Sequence, residues 1–172
     1  WQDTGAASLG SDLLQFGVPA FAVGGLVLSG LDAGGGRAVG QDLLVTVEAV
    51  SVALLAMQVT KMAAGRLRPY AWADPGSIQG RDAYASFFSG HTTATFAVAS
   101  AAGTVARLRG YRHWRWILGV GMAAAATTGY LRIAADRHWA TDVLMGAAVG
   151  SLAGFGLPVW LHQRESGAAP AA

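Results

Sequence analysis

Five long stretches of this chain carry almost no charge, and they limit the possible folds more than any other feature. They cover residues 13–31, 43–60, 92–106, 116–131 and 143–161. Glu48 is the single charged residue within them. Glycine, proline or several arginines stand between the runs, and no segment shows the alternation of a half-buried strand. We therefore expect an all-α fold, a helical bundle of about five long apolar helices.

The length and composition of these runs indicate a membrane. A helix that crosses a bilayer needs about 20 apolar residues. The first, second and fifth runs are long enough, and the third and fourth are short unless polar ends or tilt contribute. Charged residues make up 13% of the chain and hydrophobic residues 53%, whereas soluble domains have roughly 25% charged residues. We expect transmembrane helices; the alternative is a soluble bundle of buried helices.

The chain of 172 residues is expected to form one domain, residues 1–172, with a flexible tail at 163–172. It starts at Trp1 rather than methionine, which suggests that a signal peptide or another span once preceded it. Because there is no cysteine, disulfides and thiolate metal sites are excluded. A net charge of +2 with scattered arginines does not favour nucleic acid as a partner.

Small residues recur every four positions in the last two runs. They are Gly121, Ala125 and Gly129 in the fourth run and Gly146, Gly150 and Gly154 in the fifth. Such a face lets two helix backbones approach closely, as helices do when they associate in lipid. The alternative is that composition alone produces the spacing, since the chain has 24 glycines.

Arg132, His138 and Asp142 stand just before the fifth run. If the chain is helical from Trp139, His138 and Asp142 share one face, and the carboxylate can accept a hydrogen bond from one imidazole nitrogen. The other nitrogen is then free to attack, and the arginine indicates an anionic target such as phosphate. The alternative is a surface histidine beside an aspartate that favours the helix dipole.

Lys61 and Arg68 form a second basic cluster at the end of the second run. They are seven residues apart, close to two helical turns, so they would converge on one anion if the helix continued to Pro69. The alternative is a basic collar at a helix end, where cations suit the dipole and lipid headgroups.

Ser89, Gly90 and His91 immediately precede the third run. A serine hydroxyl and unhindered backbone N–H groups at a helix N-terminus bind anions readily, and an imidazole beside them can transfer protons. The alternative is a helix cap next to an incidental histidine.

Together, the three clusters resemble the type 2 phosphatidic acid phosphatase family, whose superfamily includes bacterial acid phosphatases and vanadium haloperoxidases. The resemblance covers residues 61–142 and consists of Lys-x6-Arg-Pro, Ser-Gly-His and Arg-x5-His-x3-Asp. Chance would produce these nine residues at these spacings on the order of once in a hundred thousand chains. The flanking apolar runs fit the family's helical bundle.

The resemblance implies a role for each matching residue. It makes His138 the nucleophile, Asp142 its orienting partner and His91 the general acid that protonates the leaving oxygen. The phosphate-binding positions are Lys61, Arg68, Ser89, Gly90 and Arg132. Cations and backbone donors can stabilise the transferring phosphoryl group, so no metal or other cofactor is expected. Water then hydrolyses the phosphohistidine with His91 as base.

Two positions depart from the family pattern, which usually has proline in place of Phe88 and serine in place of Leu131. The first change can alter the loop, and the second removes a hydroxyl that could help bind phosphate. His113 and His162 lack the company of other catalytic residue types, and we expect both to be solvated.

The basic residues also predict an orientation in the membrane. If all five runs cross it, the three clusters share one face and the loop at residues 107–115 lies on the other. Apart from Lys61, Arg68 and Arg132, which have an anion to bind, three basic residues lie on the first side and six on the second. The positive-inside rule then places the site on the extracytoplasmic side of an inner (plasma) membrane.

Aromatic residues are dense between the first two clusters. They are Tyr70, Trp72, Tyr84, Phe87 and Phe88. These residues suit the membrane interface and the sideways entry of a lipid tail. The alternative is that they pack a long loop onto the bundle.

The function expected is a membrane phosphatase that hydrolyses a lipid phosphate or diphosphate monoester, with membrane lipids as its surroundings. One alternative is a soluble periplasmic acid phosphatase of broad specificity. Another is a non-catalytic membrane protein with a phosphate pocket, which the full set of catalytic residue types disfavours. A haloperoxidase is disfavoured because such relatives are much longer chains.

Overall fold

Five long α-helices and one short one make up the computed structural model, which describes residues 4–33 and 35–167, with side chains as far as residue 161. The helices are α1 (Thr4–Asp32), α2 (Gly36–Ala64), α3 (Pro69–Ala73), α4 (Gly90–Leu108), α5 (Trp114–Ala134) and α6 (Ala140–Gly167). Two short 3-10 helices, Pro75–Ser77 and Arg81–Tyr84, lie between α3 and α4. Each predicted apolar run lies within one long helix, so the expected all-α bundle is confirmed.

The central helix of the bundle is α4. It packs against all four other long helices, and every residue from 97 to 106 is buried. Most of these residues are alanine, glycine, serine or threonine, so the neighbouring helices can approach its backbone closely. Ser89, one of the predicted site residues, directly precedes this well-packed helix.

Four helices of the described chain are long and apolar enough to cross a membrane. The spans are Thr4–Asp32, Gly36–Ala73, which comprises α2 and the short α3, Trp114–Ala134 and Ala140–Leu161. The fourth run qualifies because polar and aromatic residues at both ends extend it into the 21-residue α5. Large apolar side chains on these helices face outward, among them Leu13, Leu55 and Trp116. Such a surface is suited to lipid contact.

The glycines of α6 lie directly against α4. A side chain at Gly146 would stand 2.9 Å from the carbonyl oxygen of Ser89, and one at Gly150 would stand 2.6 Å from that of Thr93. Gly154 meets the same helix further along. The small residues at the same spacing in α5, Gly121, Ala125 and Gly129, are buried as well. The predicted close approach of helices along small residues is confirmed.

The end of α2 differs from the expectation. Gly65 takes a left-handed conformation, with φ of 53°, and its N–H bonds to the carbonyl of Lys61. Glycine adopts this conformation without steric cost, so the helix ends at Ala64. The alignment of Lys61 and Arg68 over two helical turns is therefore wrong, and a loop brings Arg68 to the site instead.

The last helix extends into the segment expected to be a flexible tail. The backbone is helical as far as Gly167, and the side chain of His162 and residues 168–172 lie outside the part that the structure describes. Trp1 lies outside it as well. His113, near the opposite end of the bundle, is exposed as expected.

Candidate active site

The site lies at the end of the bundle where α2 ends and α4 and α6 begin. Backbone hydrogen bonds join the loops there: Arg68 N–H donates to Ala83 O at 2.8 Å, and Ser89 N–H donates to Asp142 O at 3.1 Å. Of the eight predicted site residues, Arg68, Ser89, Arg132, His138 and Asp142 are buried, and Lys61, Gly90 and His91 are partly buried. The fold thus brings the three sequence clusters to one place.

His138 precedes α6 and is 2% exposed. Its Nδ1 lies 2.8 Å from the carbonyl oxygen of Ser86. A carbonyl oxygen can only accept, so Nδ1 carries the proton and Nε2 keeps its lone pair. Burial lowers the pKa of His138 to about 4, Asp142 opposes this effect and Arg68 adds to it. The imidazole is therefore neutral near pH 7, with Nε2 available to attack.

Asp142 holds His138 by a different route from the one expected. Its Oδ2 is 3.6 Å from His138 Nδ1, which is too long for a hydrogen bond. The helix begins at Ala140, one residue later than expected, and the two side chains lie next to each other without the expected hydrogen bond. Instead Oδ2 accepts from Ser86 Oγ at 2.5 Å and from Trp139 N–H at 3.0 Å. Asp142 therefore fixes Ser86, whose carbonyl fixes His138, and it also caps α6.

Arg66 holds the other oxygen of this carboxylate, and the sequence analysis did not single it out. Its Nη1 donates to Asp142 Oδ1 at 2.7 Å and to Thr141 Oγ1 at 2.8 Å. The guanidinium carbon lies 5.6 Å from the ring centre of Trp139 and 6.0 Å from that of Phe87. Arg66 therefore balances the buried charge of Asp142. Its role depends on contacts across the fold, and nothing in its spacing marks it.

Arg68 is buried and touches His138 Nε2. Its Nη1 lies 3.3 Å from His138 Nε2 and donates to the carbonyl of Arg137 at 3.0 Å. Its Nε and Nη2 donate to the backbone and side-chain oxygens of Asp82, each at 2.9 Å. These bonds fix the guanidinium next to the place where a phosphoryl group on Nε2 would lie.

The N-terminus of α4 supplies the next part of the site. Ser89 is the N-cap residue, and its Oγ accepts from the backbone N–H of Thr92 at 3.4 Å and from Thr92 Oγ1 at 2.9 Å. The Nζ of Lys61 lies 3.9 Å from the position of a side chain at Gly90. A lysine thus reaches the positive end of a helix dipole, where an anion is favoured.

Arg132 has a buried donor without a partner among the described residues. Its Nη1 donates to Ser11 Oγ and to Asp12 Oδ1, each at 3.1 Å. Its Nε is buried and finds no partner among the described residues. A buried donor without an acceptor costs free energy, so this N–H suits an oxygen of a bound anion.

His91 lies on the α1 side of the site. Its Nε2 is 2.8 Å from Asp12 Oδ1, the oxygen that Arg132 also contacts. The sequence analysis did not single out Asp12. The signal available there was an acidic residue inside an otherwise apolar membrane-length helix, where a charge is costly and commonly functional.

The sequence profile of the PAP2 superfamily matches residues 42–166. This chain belongs to the PAP2 superfamily. The match confirms the resemblance found from the three clusters, and it includes all eight predicted site residues but not Asp12.

One curated relative shares much of this PAP2 chain. Over 121 residues it is 36% identical to a protein named lipid A 1-phosphatase from Porphyromonas gingivalis, an alignment that covers 69% of the chain and 24% of the relative. The chain therefore spans about a quarter of the relative's length. No solved structure matches the chain significantly.

The two departures from the usual PAP2 pattern are both packed positions. Phe88 is 3% exposed. Leu131 packs against a small buried cluster formed by Ala7, Ala134 and Ala135. Where the family usually has a serine hydroxyl, this chain thus has an apolar contact between α5 and α1.

The aromatic residues before α4 divide between the two expected roles. Trp72 and Tyr84 are 69% and 49% exposed, as residues at a membrane interface can be. Phe88 is buried, and Tyr70 and Phe87 are partly buried. Both interpretations therefore describe part of the PAP2 loop.

The site as a whole combines a neutral imidazole with an excess of positive charge. Besides burial, the charges of Arg68, Arg132 and Lys61 lower the pKa of His138. His91 shares the Oδ1 atom of Asp12 with Arg132. Among the described residues, no three His, Asp or Glu side chains come together as metal ligands. This arrangement is suited to transfer of an anionic phosphoryl group.

Proposed function

We propose that this PAP2 chain is a membrane phosphatase that hydrolyses a lipid phosphate or diphosphate monoester through a phosphohistidine. The observation that carries the proposal is the 3.3 Å distance between His138 Nε2 and Arg68 Nη1. Because Nδ1 is committed to the Ser86 carbonyl, Nε2 is the nucleophilic nitrogen. A fixed guanidinium beside it neutralises the phosphate that it attacks.

The reaction proceeds in two steps, formation of the phosphohistidine and its hydrolysis. In the first, a bond forms between His138 Nε2 and phosphorus, the bond from phosphorus to the leaving oxygen breaks, and His91 gives that oxygen a proton. In the second, water attacks phosphorus, the phosphorus–nitrogen bond breaks, and His91 takes a proton from the water. Lys61, Arg68 and the unpaired Nε of Arg132 hold the phosphate oxygens throughout.

Three observations support a lipid substrate. Four helices are long and apolar enough to place the site at a membrane surface. A groove of about 480 Å³, lined by Gln58, Met62, Tyr84 and others, opens beside Lys61. The curated relative is named a lipid A 1-phosphatase. A lipid could thus place its phosphate beside Lys61 while its tails stay near the apolar surface of α2.

The orientation is part of the proposal. The loop between α4 and α5 lies at the opposite end of the bundle, and this loop and the adjoining helix ends carry Arg107, Arg109, Arg112 and Arg115. Under the positive-inside rule this loop is cytoplasmic, so the site faces the extracytoplasmic side. Labelling of single cysteines placed at Arg112 and Asp74 by an impermeant reagent in intact cells tests this: only the second should react.

A substrate panel tests the function. The protein, purified in detergent, is given phosphatidate, phosphatidylglycerol phosphate, undecaprenyl diphosphate, lipid A and p-nitrophenyl phosphate. Each buried methylene contributes roughly 0.8 kcal/mol, so a few contacted carbons should give a lipid on the order of a hundredfold higher kcat/KM than the water-soluble ester. Comparable efficiency on p-nitrophenyl phosphate would favour an acid phosphatase of broad specificity instead. Hydrolysis of none would refute the phosphatase.

A further inference from the structure

Asp12 is a carboxylate in a site that should bind anions, and the phosphatase chemistry above gives it no role. It lies on α1, outside all three sequence clusters and outside the segment that matches the PAP2 profile. Its side chain is about half exposed, at 51%. A single oxygen, Oδ1, contacts both His91 Nε2 at 2.8 Å and Arg132 Nη1 at 3.1 Å.

The contact to His91 determines which imidazole nitrogen faces the substrate. A carboxylate oxygen accepts, so Nε2 carries the proton of this hydrogen bond. No described residue bonds to Nδ1 of His91. The nitrogen left for exchange with the leaving oxygen is therefore Nδ1.

The contact to Arg132 leaves the phosphate-binding part of that guanidinium open. Asp12 and Ser11 both engage Nη1, whereas the buried Nε has no partner among the described residues. A bound phosphate can use Nε without displacing Asp12. Asp12 can therefore keep its contacts with His91 and Arg132 while phosphate is bound.

The charged groups around His91 also affect its protonation. Burial lowers the pKa of His91, and the charges of Arg132 on α5 and Lys61 on α2 lower it further. Asp12 on α1 opposes them, because a hydrogen-bonded carboxylate stabilises an imidazolium. A general acid needs that proton at the moment when the leaving oxygen departs.

We propose that Asp12 is a positioning residue for the leaving-group step: it holds His91 by Nε2–H so that Nδ1 carries the transferable proton. The proposal rests on the phosphatase function above. In the first step the Nδ1 proton moves to the leaving oxygen as the phosphorus–oxygen bond breaks, and His91 becomes neutral with Nε2–H still on Asp12. In the second step Nδ1 takes a proton from the attacking water.

The test compares Asp12→Asn with four other variants, one of them Asp12→Glu, on two substrates. The substrates are a long-chain alkyl phosphate, whose leaving group needs a proton, and p-nitrophenyl phosphate, whose leaving group does not. His91→Ala gives the full effect of losing the acid. Ser11→Ala removes the other acceptor of Arg132 Nη1 without touching His91. Asp32→Asn changes an exposed aspartate at the far end of the same helix.

The expected result is selective. General acid catalysis contributes typically 10²–10⁴-fold, so we expect Asp12→Asn to lower kcat for the alkyl ester by about 10- to 100-fold and kcat for the aryl ester by less than about threefold. The fall of alkyl-ester activity at high pH should move to lower pH, since the carboxylate that stabilises the protonated acid is gone. Ser11→Ala should affect both esters equally, mainly through KM, and Asp32→Asn should affect neither. Asp12→Glu should recover part of the selective loss.

Equal losses on both esters, or an unchanged pH profile, would overturn the positioning role while the wild-type activity still supports the phosphatase. An increase in activity would overturn it too and would show that Asp12 competes with phosphate for Arg132. If the wild-type protein hydrolysed neither ester nor any lipid of the panel, the proposed function would fail first. Thermal unfolding of each variant separates these outcomes from loss of folded protein.

Discussion

The two ends of the bundle use the same residue types for different purposes. At the far end, the buried carboxylate of Asp42 accepts from Arg109 Nε at 2.6 Å and from Tyr111 Oη at 2.7 Å. Arg109 also reaches Gln41. This carboxylate has a partner at both oxygens, and the cluster ties α2 to the loop after α4. Its geometry serves stability.

At the site end, the buried guanidinium of Arg132 is incompletely paired. Arg132 keeps a buried Nε without an acceptor among the described residues, whereas Arg68 is bonded to Asp82 and Arg137 and places Nη1 against His138 Nε2. A purely structural cluster would satisfy the Arg132 donor, because an unsatisfied buried donor costs about 1–3 kcal/mol. Incomplete pairing therefore marks the end of the bundle that awaits an anion, and the far end shows that the chain can satisfy buried charges elsewhere.

The largest effect is expected when one histidine at each end of the bundle is replaced and the two variants are compared. His138→Ala should abolish turnover and the trapped phosphoenzyme together, a loss of at least about 10⁴-fold, because the nucleophile is removed. His113→Ala, at an exposed histidine near the far end, should leave both unchanged. Radiolabelled substrate with acid quenching measures the phosphoenzyme. Substantial turnover by His138→Ala would remove His138 from the covalent step.

The second prediction concerns the loss of the Asp42 cluster at the far end. Asp42→Asn removes the charge that Arg109 and Tyr111 share, and it should lower the free energy of unfolding by about 2–3 kcal/mol, at the low end for a buried pair because Arg109 is partly exposed. The activity of each folded molecule should stay the same. Asp32→Asn, an exposed aspartate near that end, is the matched control and should change stability by less than about 0.5 kcal/mol.

Thermal unfolding in detergent and kcat on the preferred lipid measure both quantities. If Asp42→Asn lowered kcat as strongly as it lowered stability, the far-end cluster would be coupled to the site, and the division between a stabilising end and a reactive end would be wrong.

Sequence reasoning predicted the elements better than the contacts between them. The five helices follow from uncharged runs because burial and lipid contact both require apolar residues. Close approach along the glycines of α6 follows from spacing within one helix. By contrast, the alignment of Lys61 with Arg68 fails because Gly65 ends α2, a conformational choice that helical spacing does not contain.

The candidate site shows the same division. Eight residues carried over from the resemblance lie together, because each belongs to a fixed spacing within one segment. Arg66, Ser86 and Asp12 were missed because their roles arise from contacts across 52 to 79 positions of sequence. The expected hydrogen bond between His138 and Asp142 fails because α6 begins at Ala140, one residue later than assumed, and Asp142 Oδ2 bonds to Ser86 and Trp139 instead.

The third prediction concerns the pH at which His138, at the site end, becomes protonated. Burial lowers its pKa to about 4, so Nε2 should stay unprotonated as the pH falls from 7 to about 5. The ring resonances of selectively labelled histidines in micelles, with those of His138 assigned by their loss in His138→Ala, report this titration. Protonation of His138 at or above the ordinary histidine pKa of about 6.5 would mean that burial and the positive surroundings do not act on the nucleophile.

The fourth prediction is that removal of divalent ions leaves the rate unchanged. In the proposed site Lys61, Arg68 and Arg132 stabilise the charge on the equatorial oxygens, which divalent ions do in many other phosphoryl-transfer enzymes. Dialysis against a chelator should therefore leave kcat/KM within about twofold of its starting value, which is less than about 0.4 kcal/mol in barrier height. Vanadate should inhibit, since its five-coordinate form resembles the transferring phosphoryl group and would bond to Arg132 Nε, which has no partner among the described residues. Chelation that removed activity, with recovery on adding a divalent ion, would show that the three cations do not suffice. The buried Nε of Arg132 would then need another explanation than phosphate binding.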